Sequence, residues 1–250
     1  MIRDNRCAGF WRKLSAHYFV ADAHIGSGFP ESERRLIGFL RGIRGSADSL
    51  FILGDLFEFW FEYQRAIPRH GFQVMARLDE LKRAGTRIVY ICGNHDFWLR
   101  GFLERELGVE TPGDEMETEI DGRRAYLTHG DGLDKGFVPR VFRRLMRSRM
   151  NSGLYSLIHP DVGIGLAQWV AGRSRELGAK LYLREDMARF AVAKMQEGFD
   201  VVVMGHSHAP EVRQSGTGVY VNVGDWVRSF SFGVMRDGVL RLEFLGAEQY

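Results

Sequence analysis

Five short apolar runs in this chain each end abruptly in small, polar and charged residues. "HYFVAD" (17–22) is followed by His24, "LFILGD" (50–55) ends on Asp55, and "RIVYICGN" (87–94) leads into His95 and Asp96. "AYLTHGD" (125–131) and "VVVMGHSH" (201–208) repeat the pattern. Such compact apolar runs read as strands buried on both faces. Helical spacing of Leu36, Phe39, Leu40 and Ile43 predicts a helix over about 32–44, between the first two runs. An amphipathic helix over 72–85, with Gly85 placed to cap it, separates the second from the third. Strand, helix and parallel strand in alternation predict an α/β domain whose chemistry gathers beyond the carboxyl ends of its strands.

The second half is organised differently. "METEIDGRRAYLTHG" and "FGVMRDGVLRLEF" each carry Asp-Gly between two strand-like runs, a hairpin signal. Between Leu133 and Gly198 the pattern is mostly helical, and "GVYVNVGDW" (218–226) is a further strand. The expected organisation is an extension at 1–16 and one domain over 17–250, with a helical cap inserted at about 133–197. A content of 45% hydrophobic and 26% charged residues suits a globular domain rather than disorder or a fibre. Lys and Arg number 34 against 32 acids, so net charge gives no argument for nucleic acid as a partner. Two cysteines, Cys7 and Cys92, argue against a disulfide framework and fit a reducing compartment. No apolar run reaches the 18 residues of a spanning helix, and the start lacks the apolar core of a signal peptide. Phe10, Trp11 and Leu14 among basic neighbours suit either a frayed extension or contact with a membrane surface.

Each strand-end cluster taken alone is ordinary turn chemistry. Together they hold five of the eight histidines, a concentration that scattered core histidines do not show. Carboxylate, imidazole and amide donors without thiolate suit borderline divalent ions such as manganese, iron or zinc, and argue against a structural zinc site. A carboxylate between two such ions is the natural bridge. Two cations about 3.5–4 Å apart can activate a water and neutralise a phosphoryl group.

The ordered set Asp22-x-His24, Gly54-Asp55, Gly93-Asn94-His95-Asp96, His129 and Gly205-His206-x-His208 resembles the calcineurin-like metallophosphoesterases. The resemblance implies a sandwich of two mixed β-sheets flanked by helices, with a dimetal centre along one edge. It implies that Asp22, His24, Asp55 and His208 hold one metal ion. Asp55, Asn94, His129 and His206 would hold the other, with Asp55 bridging. Manganese is the expected ion. His95 would contact the scissile phosphate and serve the leaving oxygen, with Asp96 orienting its imidazole.

The aromatic, acidic "LGDLFEFWFEY", the stretch "THGDGLDKG" and the basic helical insertion resemble the UDP-2,3-diacylglucosamine pyrophosphatase branch of lipid A biosynthesis. That branch cuts a nucleotide-linked glycolipid into UMP and diacylglucosamine 1-phosphate. It implies a peripheral enzyme on the cytoplasmic face of the inner membrane, with Asn94 and His95 at the substrate and further contacts from Asp134, Ser174 and Arg175. One departure stands out: the best-known members read Gly-Asn-Arg-Asp where this chain has His95, and histidine transfers protons where arginine does not.

Six basic residues and no acid lie between Lys135 and Pro160, interleaved with apolar residues at helical spacing. Such a segment either lies on anionic lipid or packs with a solvated basic face. "LIHPDVGIGLAQWVAGRSRE" (157–176) follows, and reads either as the wall of a chamber for acyl chains or as plain core packing through Ile164, Leu166 and Trp169. A soluble phosphodiesterase or protein phosphatase using the same metals, and a non-enzymatic scaffold on this fold, are the rival readings.

Overall fold

The structure, a computed structural model, describes residues 16–99, 101–133, 137–165 and 181–246. The first half alternates as β1 (His17–Val20), α1 (Pro30–Gly42), β2 (Ser49–Leu53), α2 (Phe72–Arg83), β3 (Arg87–Ile91), α3 (Phe102–Leu107) and β4 (Glu110–Gly113). The hairpin β5 (Glu115–Ile120) and β6 (Arg123–Thr128) follows, then a 3₁₀ turn at Asp131–Leu133. The helices α4 (Phe137–Met146), α5 (Arg149–Tyr155) and α6 (Leu181–Gln196) come next, and residues 160–165 are also helical. The chain closes with β7 (Val201–Met204), β8 (Glu211–Ser215), β9 (Gly218–Asn222), β10 (Ser231–Arg236) and β11 (Val239–Phe244).

The strands form two mixed sheets, ordered β11-β10-β1-β2-β3-β4 and β5-β6-β7-β9-β8. Parallel pairing joins β1, β2, β3 and β4 in the first sheet and β6, β7 and β9 in the second. Antiparallel hairpins add β10 and β11 to one sheet and β5 and β8 to the other. Both Asp-Gly turns form, with positive φ at Asp121, Gly122, Asp237 and Gly238, the conformation that a two-residue hairpin turn requires.

Alternation along the central strands explains why they are apolar throughout. Phe19, Phe51, Leu53, Val89 and Ile91 point toward the second sheet and meet Leu127, Val201, Val203 and Val221. Tyr18, Val20, Leu50, Ile52, Ile88 and Tyr90 point the other way, into α1 and α2. On the outer face of the second sheet, Tyr126, Val202, Met204 and Tyr220 pack against Leu183, Met187 and Ala191 of α6. The result is helix, sheet, sheet, helix, and each large side chain buried in it contributes about 1.5–3 kcal/mol of transfer free energy. Because α6 packs on the sheet, it forms the outer layer of the sandwich, although it falls within the 133–197 expected for the cap. The rest of the segment expected to form the cap is, among the described residues, α4, α5 and the helical residues to 165. Among the described residues no helix is long and apolar enough to cross a membrane.

Candidate metal centre

The carboxyl ends of β1, β2 and β3 in one sheet and of β6 and β7 in the other open onto the same edge of the sandwich, and all five strand-end clusters meet there. Close approach of the loops depends on glycine. A Cβ on Gly93 would collide with the Asp55 carboxylate, and one on Gly205 would come within 2.6 Å of the Ala21 Cβ and 2.7 Å of Asp22 Oδ2. The backbone turns sharply at the same points. Of eight non-glycine residues with positive φ among those described, five are Asp22, His24, Asp55, His206 and His208. Left-handed backbone at that many non-glycine positions is strain that the surrounding packing enforces, and it concentrates at functional sites.

Four histidines share one arrangement: Nδ1 faces outward to a nearby oxygen and Nε2 faces a shared carboxylate cluster. Nδ1 of His129 donates to the Leu53 carbonyl at 2.7 Å, and Nδ1 of His95 donates to the Glu58 carbonyl at 2.9 Å. Nδ1 of His24 lies 3.0 Å from Glu58 Oε2, and Nδ1 of His208 lies 3.3 Å from Asp225 Oδ2. On the inner side, Nε2 of His24 and Nε2 of His208 stand 3.4 Å apart. They lie 3.8 and 3.5 Å from Asp22 Oδ1. Oδ2 of Asp55 sits between two groups, 3.9 Å from His24 Nε2 and 3.4 Å from His129 Nε2. Asn94 Oδ1 is 3.2 Å from His129 Nε2, and the His206 ring stands edge-on to that of His129 at 4.9 Å.

Charge at this edge is heavily coupled. Burial opposes ionisation of Asp55, but His129, His95 and His24 outweigh it and hold the carboxyl well below the usual carboxylate range. Burial likewise opposes protonation of His129, and the facing Asp55 more than compensates, lifting the imidazole to about 10. His208 is raised too: burial works against it, while Asp22 and Asp225 prevail. The donors fit a pair of divalent cations. Asp22 Oδ1 is buried with no hydrogen-bond partner among the described residues, and a cation contact would satisfy it. Ligand atoms of Asp22, His24 and His208, and again of Asp22, Asp55 and His129, lie within 4.8 Å of one another.

Asp96 departs from expectation. It is fully buried and does not touch the His95 ring. Its Oδ1 accepts from the backbone N–H groups of Asp55 (3.1 Å) and Gly93 (2.9 Å). Its Oδ2 accepts from Leu56 N–H (2.8 Å), from Phe57 N–H and from the Tyr90 hydroxyl. A carboxylate facing inward beneath two strand ends meets a nest of backbone donors before it can reach an imidazole. Asp96 therefore ties the Asp55 and Asn94 loops together, and the Glu58 carbonyl orients His95 instead.

Two buried carboxylates that the sequence reading passed over, Glu58 and Asp225, sit behind His24 and His208. Asp225 also accepts from the N–H groups of Arg228 and Ser229. Burial resists its ionisation, yet the His208 hydrogen bond and these N–H donors bring it down to about 2. The only advance signal for Glu58 was an acid inside an otherwise aromatic run.

Asp134, Ser174 and Arg175, with Leu166 and Trp169, lie outside the described residues. The described cap residues meet the core in two ways. Arg143 and Arg147 of the basic run clasp Asp131 and Asp114, and Arg147 also donates to the Gly93 carbonyl at 2.8 Å. Asp131 lies well buried; these guanidiniums and the neighbouring histidines overcome that burial and lower its pKa. Beside the clasp, Met146, Tyr155 and Ile164 pack against Phe59, Phe61 and Trp98.

Comparison with known proteins agrees with this geometry. The sequence model of the calcineurin-like phosphoesterases matches residues 18–210. A UDP-2,3-diacylglucosamine hydrolase of Porphyromonas gingivalis is 30% identical over 90% of this chain and 96% of its own length. The protein of that name from Ralstonia nicotianae is 31% identical, over 90% of this chain and 88% of its own. Among solved structures, an archaeal phosphodiesterase superposes with a TM-score of 0.50 at 14% identity, covering 92% of this chain and 99% of that one. That likeness extends to the fold. With the motif order, the sheet topology and the family match in agreement over most of its length, the chain belongs to the calcineurin-like phosphoesterase family.

Proposed function

We propose that this protein hydrolyses the pyrophosphate bond of UDP-2,3-diacylglucosamine, consuming one water and releasing UMP and 2,3-diacylglucosamine 1-phosphate in lipid A biosynthesis. The observation that carries this reading is the match, over nine tenths of the chain, to relatives named for that substrate. The site chemistry agrees with it independently. Asp22, His24, Asp55 and His208 would hold one divalent cation, and Asp55, Asn94, His129 and His206 the other. Manganese suits these mixed carboxylate, imidazole and amide donors. Two such cations supply the charge that activates water and offsets the phosphoryl charge in the transition state.

The chain's own groups set the rest of the chemistry. Because Nδ1–H of His95 is committed to the Glu58 carbonyl, Nε2 is the nitrogen turned to the site, 3.8 Å from Asp55 Oδ2. From there it serves the phosphoryl group and hands a proton to the departing phosphate oxygen as the P–O bond breaks. Asp96 keeps the Asp55 and Asn94 loops in register.

A lipid surface is the second part of the reading. Val141, Leu145, Met150, Leu154, Leu157 and Val162 of the cap are between 47% and 82% exposed, an apolar concentration unusual for a solvated face. Two of the cap's arginines are occupied in the clasp with the core, so these apolar side chains, rather than the basic run alone, support peripheral contact with the cytoplasmic face of the inner membrane.

The deciding experiment supplies UDP-2,3-diacylglucosamine in detergent with manganese and measures UMP release, beside bis(p-nitrophenyl) phosphate and a cyclic nucleotide. UMP release that exceeds turnover of both small esters is expected. Rapid hydrolysis of the small diesters with no UMP would make the protein a phosphodiesterase of the same family.

A further inference from the structure

Glu58 stands three residues beyond Asp55 and is buried to 1% exposure. A carboxylate this deep is retained only beside a donor or a cation. Its surroundings are two of the site's histidines. Oε2 lies 3.0 Å from Nδ1 of His24, and the carbonyl of the same residue accepts from Nδ1 of His95 at 2.9 Å. Its own N–H donates to the carbonyl of Ile25 at 3.0 Å, next to His24 in the chain. One residue thus grips the His24 loop by backbone and side chain, and the His95 ring by its carbonyl.

We propose that Glu58 is a positioning residue for the metal centre, fixing His24 in the tautomer whose Nε2 is free for a cation. The proposal rests on the dimetal reading above. An imidazole has one N–H when neutral. Nδ1 stands 3.0 Å from Oε2 of Glu58, so a proton held on that nitrogen is the one the carboxylate favours, and the Nε2 lone pair is left for the side of Asp22, Asp55 and His208. Without the carboxylate, the His24 ring can rotate or carry its proton on Nε2, and either change removes a ligand. The Glu58 carbonyl sets His95 in the same way, so the backbone at this position must stay fixed as well.

The test is manganese titration of metal-free protein by calorimetry, with bound metal counted by elemental analysis. Wild type should take up two cations. Glu58→Gln keeps the volume and removes the charge; it should weaken one binding step by about 10–100-fold and leave the other within about threefold. Glu58→Asp keeps the charge but draws it back by one methylene, and should fall between. Glu62→Gln is the control, because Glu62 is equally buried but accepts from Trp60 Nε1 and Phe102 N–H. It should leave both steps unchanged. Melting of the metal-free proteins separates positioning from general support: Glu58→Gln should melt no lower than wild type. Unchanged binding in Glu58→Gln would overturn the proposal. So would equal weakening of both steps together with a lowered metal-free melting temperature. A wild type that binds no pair of cations would overturn the dimetal reading itself.

Discussion

Oδ2 of Asp55 faces Nε2 of His129 at 3.4 Å, and the same oxygen lies 3.9 Å from Nε2 of His24 on its other side. One carboxylate therefore addresses both groups of ligands. Asp55→Asn replaces that carboxylate by a neutral amide that presents a single acceptor. Hydrolysis should fall by at least about 10²–10³-fold, the scale of losing a principal electrostatic contact in a transition state. Bound manganese should drop below two per chain. Elemental analysis and UMP release measure the two effects, and a variant retaining both cations and full turnover would remove Asp55 from the bridging position.

His95 predicts the opposite pattern. Its ring meets that of His24 edge-on at 4.8 Å, and its Nδ1 is committed to a backbone carbonyl. A group that moves a proton without holding a cation affects the rate and not the metal content. His95→Gln should lower kcat by about 10²–10⁴-fold, the usual share of general acid–base catalysis, with two cations still bound. Loss of a cation from this variant would make His95 a ligand.

The contrast between these residues shows what the sequence could tell. Chain order and strand-end position were enough to group Asp22, His24, Asp55, Asn94, His129, His206 and His208, because a parallel sheet delivers its strand ends to one edge whatever lies between them. The βαβ half and both Asp-Gly hairpins were equally plain. β4 was not: "ETPG" contains proline and glycine, and it is a strand only because its edge position asks for few of its N–H groups. β8 alternates intermediate and exposed side chains at the opposite edge, where packing imposes no apolar pattern. Asp96 was read from its place beside His95, whereas its partners come from Asp55, Leu56 and Tyr90. Glu58 and Asp225 escaped notice because a carboxylate behind an imidazole has no fixed sequence spacing from it.

The clasp between cap and core gives a prediction about stability. Arg147 donates to Asp131 Oδ2 at 3.0 Å and to the Gly93 carbonyl, and its guanidinium lies over the Phe97 ring, 5.3 Å from the centroid. Arg147→Ala leaves a buried carbonyl and part of a buried carboxylate without a donor. The cost should be about 1–3 kcal/mol. For a chain of this size that appears as a fall in melting temperature of about 2–4 °C per kcal/mol. Melting of wild type and variant at equal manganese measures it, and identical melting temperatures would mean that the clasp contributes nothing.

Cys92 ends the apolar run of β3 and is buried, and burial together with the charge of Asp96 pushes its thiol up to about 12. The thiolate is the reactive form, so only about one part in 10⁴ is available at pH 8. In a Cys7→Ser background the folded protein should give no rapid reaction with a thiol-specific disulfide reagent, and one thiol should react on unfolding in denaturant. Prompt reaction of the native variant would place Cys92 in a more open setting than the strand end described here.

His70 sets the expected response to mild acid outside the ligand cluster. Its Nε2–H donates to the Phe59 carbonyl at 2.8 Å. Burial lowers its pKa below the ordinary 6.5, against the opposing pull of that carbonyl and of the charges on Glu33 and Glu58. Above pH 6.5 the ring is neutral in both folded and unfolded chains, and titration there leaves stability unchanged. As pH falls through 6.5, the unfolded chain takes up the proton first, so the folded state loses stability until the pH passes the lower folded value. His70→Gln keeps a donor for Phe59 and removes the titration. Urea unfolding from pH 7.5 to 5 should show wild type losing stability relative to His70→Gln as the pH drops, with the difference constant above neutrality. Parallel curves across the whole range would mean that His70 titrates alike in both states and that its burial carries no penalty for the charged form.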